Sequence, residues 1–116
     1  GIEVGGSVTQ QFQSSILADN LAQGTPSDLY SFEPGVVTGA NNLVFQSNNV
    51  AFGPDTLAGI CPKLLPLADN GGAILTHALM HISPAIDMGN NLGAWSFDER
   101  GQSYPRKSGV GRGLRQ

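Results

Sequence analysis

The sequence predicts an all-β fold made of short strands and many tight turns. Only 13% of the residues are charged, whereas 40% are hydrophobic, and 16 of the 116 residues are glycine. Charged residues usually make up ~25% of a globular protein. Short apolar runs are separated by glycine, proline and asparagine, which favour turns and stop a run from growing into a long helix. Because domains commonly contain ~100–150 residues, the chain has room for one small core.

The charges are unevenly distributed along the chain. Residues 1–99 hold nine acids and a single base, Lys63, whereas residues 100–116 hold five bases and no acid. A basic tail that binds nucleic acid, lipid headgroups or acidic glycan is one interpretation. We favour an end-piece that folds over the acidic body, or a frayed terminus, because five charges spread among glycine and serine make a weak electrostatic footprint.

The single cysteine, Cys61, excludes an internal disulfide and a multi-cysteine metal site. We predict that it is a small core residue rather than a nucleophile. No run approaches the ~18 apolar residues of a membrane-spanning helix, so no membrane span is predicted.

Residues 1–63 are predicted to form strands separated by turns. Strand signals occupy residues 8–13, 15–18, 29–32, 36–38 and 50–52. A helix over residues 14–23 is the alternative to the second strand. Pro34-Gly35 is predicted to be a turn. The asparagine corners at Asn20 and Asn42 lie 22 residues apart, which is about one coil of a solenoid.

Residues 64–91 contain the densest pattern of apolar runs and turn signals. The runs around Ile74-Leu75 and Ala85-Ile86 are predicted to form a short buried segment and a short strand. Asn70-Gly71-Gly72 supplies residues that adopt positive φ readily, and Ser83-Pro84 keeps the backbone extended. Asp69 is predicted to accept a backbone hydrogen bond within its turn.

The histidines and acids of this stretch raise the question of a metal or catalytic site. His77 and His81 lie four residues apart, but no glutamate follows the first as in His-Glu-x-x-His. We predict no metal site, no cofactor and no catalytic residue, and interpret His77 as a hydrogen-bonded core or end-cap residue.

The last predicted elements are aromatic and charged. Trp95 is predicted to shield the open end of the apolar core, with a sugar-stacking platform as the alternative. Arg106 is predicted to form an ion pair with Asp98 or Glu99, because the planar guanidinium binds a carboxylate at two points.

Several of these segments together resemble the C-terminal pattern of bacterial choice-of-anchor Q proteins. They are Leu-Ala-Asp-Asn-Gly-Gly at 67–72, Leu-Thr-His-Ala-Leu at 75–79, Ser-Pro-Ala-Ile-Asp-Met-Gly-Asn at 83–90, Asp-Glu-Arg-Gly at 98–101 and Pro-Arg at 105–106. Residues 15–20 and 39–44 are similar to the repeating coils of that family. Members close with an Asp-Ile-Gly-Ala-Phe-Glu strand, whereas residues 110–116 read Val-Gly-Arg-Gly-Leu-Arg-Gln.

The resemblance implies a right-handed parallel β-helix, a solenoid fragment of two to three coils with an irregular C-terminal cap. Residues 1–63 would form the coils with a variable loop, residues 64–107 the end motif and cap, and residues 108–116 a flexible tail. The structural motif residues that it implies are Asp69, Asn70, Gly71, Gly72, Thr76, His77, Ser83, Pro84, Asp87, Gly89, Asp98, Arg100, Gly101 and Arg106.

The function expected from this resemblance is structural. The chain would be the C-terminal segment of a secreted or cell-surface protein, extracellular or on the bacterial surface, with adhesive or glycan-binding properties and no catalysis of its own. Its partners would be upstream coils of its own parent chain and extracellular glycan or a cell surface, and not nucleic acid. The alternative is part of a β-helix carbohydrate-active enzyme, either a polysaccharide lyase or a hydrolase.

Overall fold

The computed structural model of the chain describes residues 2–4 and 9–106. Contacts divide the chain into two compact units, Gly1–Pro62 (unit 1) and Lys63–Gln116 (unit 2), and each is described by itself. The predicted tail at residues 108–116 lies outside the described residues, as does part of the first predicted strand.

Unit 1 contains all nine β-strands of the described residues, and these residues contain no helix. The strands are β1 (Ile2–Val4), β2 (Gln10–Gln11), β3 (Ile16–Leu17), β4 (Leu21–Ala22), β5 (Thr25–Pro26), β6 (Leu29–Thr38), β7 (Asn42–Val44), β8 (Ser47–Phe52) and β9 (Thr56–Ala58). Most of them are only two or three residues long, as expected for a chain with so many turn-forming residues.

The largest sheet is built around β6. Strands β1 and β2 pair along one edge of β6, and β8 pairs along the other, all in parallel. The register places Leu29 between Ile2 and Ser47. Pro34 and Gly35, predicted to be a turn, lie inside β6, where the register with β8 shifts between Tyr30 and Gly35. The predicted turn is therefore an irregularity within one strand.

Two smaller sheets complete unit 1. In the first, β3, β7 and β9 are parallel, with β7 in the middle. In the second, β4 and β5 form an antiparallel hairpin. The two residues of its turn, Gln23 and Gly24, have φ values of 50° and 79°. Positive φ at both central positions is typical of the type I′ turn, whose twist suits a two-residue hairpin.

The core of unit 1 is small. Leu29 and Val37 of β6 pack with Leu17 of β3 and Val44 of β7, and Phe12, Val50 and Phe52 cover this cluster. Along β6, buried residues alternate with exposed ones at both ends, as expected for a strand with one face against a core.

A buried carboxylate, Asp28, joins three segments of unit 1. One carboxylate oxygen accepts hydrogen bonds from the backbone N–H and the side-chain amide of Asn20, at 2.8 and 2.9 Å. The other accepts from the backbone N–H of Gln46 at 2.8 Å. Only 1% of Asp28 is exposed, so these bonds replace water as its partners.

Asn42 makes a second polar connection, between the turn before β3 and the start of β7. Its side-chain amide donates to the carbonyl of Phe12 at 2.9 Å, and its side-chain oxygen accepts from the N–H of Ser15 at 3.1 Å. Nearby, Gly39 has a φ of 101°, and a Cβ on it would lie 1.7 Å from the carbonyl oxygen of Phe12. Glycine at this position allows the two turns to touch.

The prediction of a right-handed parallel β-helix is wrong. Within the described residues the strands form neither a solenoid nor a closed structure. A solenoid repeats with a fixed period, whereas Ile2 pairs with Leu29, 27 residues later, Leu29 with Ser47 after 18, and Leu43 with Leu57 after 14. The predicted 22-residue spacing of asparagine corners matches none of these registers.

Three further predictions about burial are wrong. Cys61 is exposed rather than part of the core. Ile74 and Leu75, predicted to be buried, are 54% and 57% exposed, and Trp95, predicted to shield a core, is 68% exposed. Burial was predicted from the apolar character of these residues alone, and this failed because a small unit cannot cover every large apolar side chain.

Replacing Gly39 should destabilise unit 1 more than replacing Gly24. Both glycines have positive φ, so alanine costs about 1–2 kcal/mol at either position. At Gly39 the Cβ also meets the Phe12 carbonyl, which adds about 1–3 kcal/mol of overpacking, whereas nothing lies within 4 Å at Gly24. Urea unfolding followed by far-UV circular dichroism measures both variants. Equal losses would contradict the close approach of the two turns.

Removing the negative charge of Asp28 should also destabilise unit 1. Asp28→Asn places an amide N–H₂ against groups that donate hydrogen bonds, so we expect a loss of about 1.5–3 kcal/mol in the free energy of unfolding. Asp55→Asn, which alters an exposed side chain, is the control and should change stability by less than about 0.5 kcal/mol. An Asp28→Asn variant as stable as the control would mean that Asp28 does not hold the three segments together.

Candidate functional site

Unit 2 contains no regular strand in its described part, and isolated antiparallel bridges hold its loops. Leu64 pairs with Leu79, Ala68 with Thr76, and Phe97 with Pro105. Five of the fourteen predicted motif residues lie on or next to these bridges: Asp69, Thr76, His77, Asp98 and Arg106. Side-chain hydrogen bonds must therefore satisfy many backbone groups that a sheet would otherwise pair.

The turn at residues 69–72 is closed by its own side chains. A carboxylate oxygen of Asp69 accepts from the N–H of Gly71 at 2.9 Å, which confirms the backbone hydrogen bond expected from the sequence. Asn70 donates to the backbone carbonyl of Thr76 at 2.8 Å and to its hydroxyl at 3.2 Å. Thr76 is buried and pairs through its backbone with Ala68. The turn is thereby fixed to the strand-like segment that follows it.

Gly71 and Gly72 allow a second loop, residues 98–104, to approach this turn. Their φ values are 92° and 91°. A Cβ on Gly71 would lie 1.8 Å from the hydroxyl oxygen of Tyr104, and one on Gly72 would lie 2.7 Å from the Cα of Arg100. The glycines therefore serve as contact surfaces, a role that adds to their conformational freedom.

Arg100 connects the two loops. Its Nε lies 3.1 Å from both carboxylate oxygens of Asp98, and its Nη2 lies 2.6 Å from Oδ2. Its Nη1 donates to the backbone carbonyl of Asn70 at 3.2 Å, and its guanidinium lies 4.3 Å from the ring centroid of Tyr104. We call Asp98, Arg100, Asn70 and Tyr104 the arginine clamp.

The arginine clamp shifts the ionisation of both charged partners. The hydrogen bond from Arg100 lowers the pKa of Asp98, and partial burial opposes this effect. The hydrogen bond to Asp98 raises the pKa of Arg100. The Arg106 charge also lowers the pKa of Asp98, but more weakly. Both members of the pair therefore stay charged across the neutral pH range.

The predicted ion pair with Arg106 is wrong, because Arg100 occupies the carboxylate of Asp98. Arg100 lies two residues from Asp98 on one tight loop, so its guanidinium reaches both oxygens. Arg106 is held through its backbone N–H, which donates to the carbonyl of Ser96 at 3.0 Å. Its Nε is buried and makes no hydrogen bond.

The remaining motif residues lie in separate turns. The Nδ1 of His77 lies 2.7 Å from the carbonyl of Leu65, so this nitrogen donates. The hydroxyl of buried Ser83 accepts from the N–H of Ala85 at 3.2 Å, across Pro84. Asp87 is exposed with a φ of 63°, and Gly89 is half-buried. Gly101 has a φ of 102°, and its N–H donates to the carbonyl of Asp98.

These motif residues lie in several separate turns. Among residues 2–4 and 9–106, no group of three or more histidine, cysteine, aspartate or glutamate side chains is placed to hold a metal ion. Asp69 and Asp98 bond to residues of their own loops, whereas His77 bonds to the carbonyl of Leu65. The arrangement can fix loop geometry, since its donors and acceptors are directed at the protein's own backbone.

Sequence reasoning missed Tyr104 and Asp28 as structural residues, and it identified Asn42 only as a corner of the predicted coil. Tyr104 follows Arg100 by four positions, and an aromatic ring at that distance from an Asp-x-Arg-Gly turn is the signal that could have indicated it. Asp28 ends a Thr-Pro-Ser-Asp turn, where a short carboxylate can accept backbone hydrogen bonds. The long-range partners of Asp28 and Asn42 have no local signature.

Comparison with family models, curated proteins and solved structures finds no match to this chain. In the part of the chain that the structure describes, no helix is both long and apolar enough to cross a membrane.

Asp98→Asn should destabilise unit 2 at neutral pH and less so in acid. Because the folded-state pKa of Asp98 is lowered, its stabilisation is present above the ordinary aspartate pKa of ~3.9 and is lost as pH falls through the lowered value. We expect a loss of about 1–2 kcal/mol at pH 7, and a smaller difference between variant and wild type at pH 3. Urea unfolding followed by the fluorescence of Trp95 measures this difference.

Glu99→Gln is the matched control for Asp98→Asn. Glu99 is the exposed neighbour of Asp98 and takes no part in the ion pair. Its substitution therefore removes the same charge and leaves the pair intact. It should leave the free energy of unfolding within about 0.5 kcal/mol of wild type at both pH values. If both variants lost the same stability at pH 7, the net charge of the loop, and not the arginine clamp, would be responsible.

Proposed function

We propose that the chain is a structural module without catalysis of its own, belonging to a secreted or bacterial cell-surface protein. The arginine clamp is the observation that supports the proposal best. Arg100 directs one donor at the backbone of Asn70, 30 residues away, and the others at Asp98. A guanidinium whose hydrogen bonds fix two loops is suited to maintaining shape.

The other polar motif side chains support the same proposal. Asn70 binds Thr76, His77 binds the carbonyl of Leu65, and Asp69 closes its own turn. A glycosidase needs two carboxyl groups that flank one bond of the substrate. Carboxylates that bond to their own turns are better suited to supporting loops, so we favour the structural module over the carbohydrate-active enzyme.

The proposed location on the cell surface rests on the resemblance of residues 67–72, 75–79 and 83–90 to choice-of-anchor Q proteins. An adhesive or glycan-binding role is part of the proposal, because a shape-maintaining module at a cell surface meets extracellular polysaccharide first. A binding role requires an exposed site.

A depolymerisation assay tests the proposal. We expect the purified chain to release no reducing ends or unsaturated products from polygalacturonate, alginate or xylan, with a polysaccharide lyase as positive control.

Arg100→Gln should lower the stability of unit 2 by about 1–2 kcal/mol, because it removes the charged partner of Asp98. On cells that produce the parent protein, an antibody against residues 64–106 should label the intact surface.

Two results would contradict the proposal. One is polysaccharide cleavage that Asp69→Asn or His77→Gln abolishes while far-UV circular dichroism shows the fold intact. The other is an antibody that labels only permeabilised cells. Either result is independent of whether the chain binds a glycan.

A further inference from the structure

Unit 1 contains an open cleft of about 930 Å³ between its largest sheet and the β4–β5 hairpin. The sheet side of the cleft includes Glu3, Tyr30 and Asn48, and the β4–β5 hairpin contributes Leu21, Gln23 and Thr25. The cleft is therefore bounded by two different sheets.

Glu3, Tyr30 and Asn48 form a row across three strands. Glu3 of β1 is the register partner of Tyr30 of β6, and Tyr30 is the register partner of Asn48 of β8. Register partners in a parallel sheet lie on the same face with strands ~4.8 Å apart, so the row is roughly 10 Å long. All three residues are exposed, with 37% of Tyr30 accessible. A carboxylate, an aromatic ring and an amide thus line one surface.

The hairpin that forms the other side is held in a defined position. Its type I′ turn fixes the two strands, and the N–H of Ser27 donates to the carbonyl of Asn20 at its base. Asp28 bonds both to Asn20 and to Gln46, which lines the cleft. The buried carboxylate thereby connects the hairpin to the sheet, and a binding cleft held in this way loses little conformational entropy when a ligand enters.

The charge of unit 1 restricts the ligand. Residues 1–62 contain five acids, Glu3, Asp19, Asp28, Glu33 and Asp55, and no lysine, arginine or histidine. Nucleic acids and other polyanions bind through cationic side chains, which this segment does not have. Unit 1 therefore disfavours polyanionic ligands, and the carboxylate, phenol and amide groups of the lining suit a ligand rich in hydroxyl groups.

We propose that this cleft binds a neutral oligosaccharide chain. Tyr30 stacks against the C–H face of one sugar ring, the carboxylate of Glu3 accepts hydrogen bonds from sugar hydroxyls, and the amide of Asn48 both donates and accepts. The inference rests on the proposed function, because a surface module is where such a chain would be encountered. It differs from the enzyme alternative because it requires binding of the chain without cleavage.

Isothermal titration calorimetry on the full chain tests the inference with cellohexaose, chitohexaose, mannohexaose and the anionic hexagalacturonate. We expect at least one neutral hexasaccharide to bind and hexagalacturonate to bind more weakly than it. Tyr30→Ala should weaken binding about tenfold, because stacking on the ring is lost. Glu3→Gln and Asn48→Ala should weaken it in the same direction.

Phe32→Ala is the matched control. Phe32 lies on the same strand two residues beyond Tyr30 and is 78% exposed, but it does not line the cleft. Removing the ring of Phe32 should leave the affinity unchanged. Far-UV circular dichroism checks that each variant is folded. The absence of binding to all three neutral hexasaccharides, tighter binding of hexagalacturonate, or unchanged affinity in folded Tyr30→Ala would each overturn the inference. All of these results concern affinity and none concerns cleavage. A failure of this inference is therefore distinguishable from a failure of the proposed function, which the depolymerisation assay tests.

Discussion

The fold of unit 1 depends on the buried carboxylate of Asp28. Strands of two or three residues leave many backbone N–H groups without a ladder partner, and a buried N–H without an acceptor costs about 1–3 kcal/mol. Asp28 supplies acceptors for the N–H groups of Asn20 and Gln46, which belong to segments 26 residues apart in sequence. One side chain thereby fixes the position of the hairpin relative to the largest sheet, and the cleft between them follows from that position.

In unit 2 a charged side chain also pairs with a backbone group, but it donates a hydrogen bond where Asp28 accepts them. There the group to be satisfied is a carbonyl, that of Asn70, and the side chain that satisfies it is a donor, Arg100. The partly buried guanidinium has a counter-charge in Asp98, which accepts hydrogen bonds through both carboxylate oxygens. In each unit a charged side chain acts where a longer strand would have used backbone hydrogen bonds, which is consistent with how little of the chain is charged and how specifically its charges are placed.

Local features of this chain were predictable, and its long-range pairings were not. The Asp69 turn and the strand at residues 29–32 follow from short-range preferences of the backbone, so sequence reasoning found them. The registers of 27, 18 and 14 residues are set by which loops can close over a small core, and no local period encodes them. In the candidate site, the grouping of Asp98 with an arginine was predictable. That Arg100 rather than Arg106 is the partner was not, because it depends on the path of one tight loop.

The glycines explain how such short strands form a defined structure. At Gly39, Gly71 and Gly72 a neighbouring residue occupies the space where a Cβ would be, so these positions bring backbone segments into direct contact. Contacts of this kind, together with the charged side chains, reduce the need for a large apolar core. Apolar and aromatic side chains are then available for the exterior, as at Tyr30 on the outward face of β6. A chain whose shape depends on glycine contacts and polar bonds can present an aromatic ring to solvent without weakening its own core.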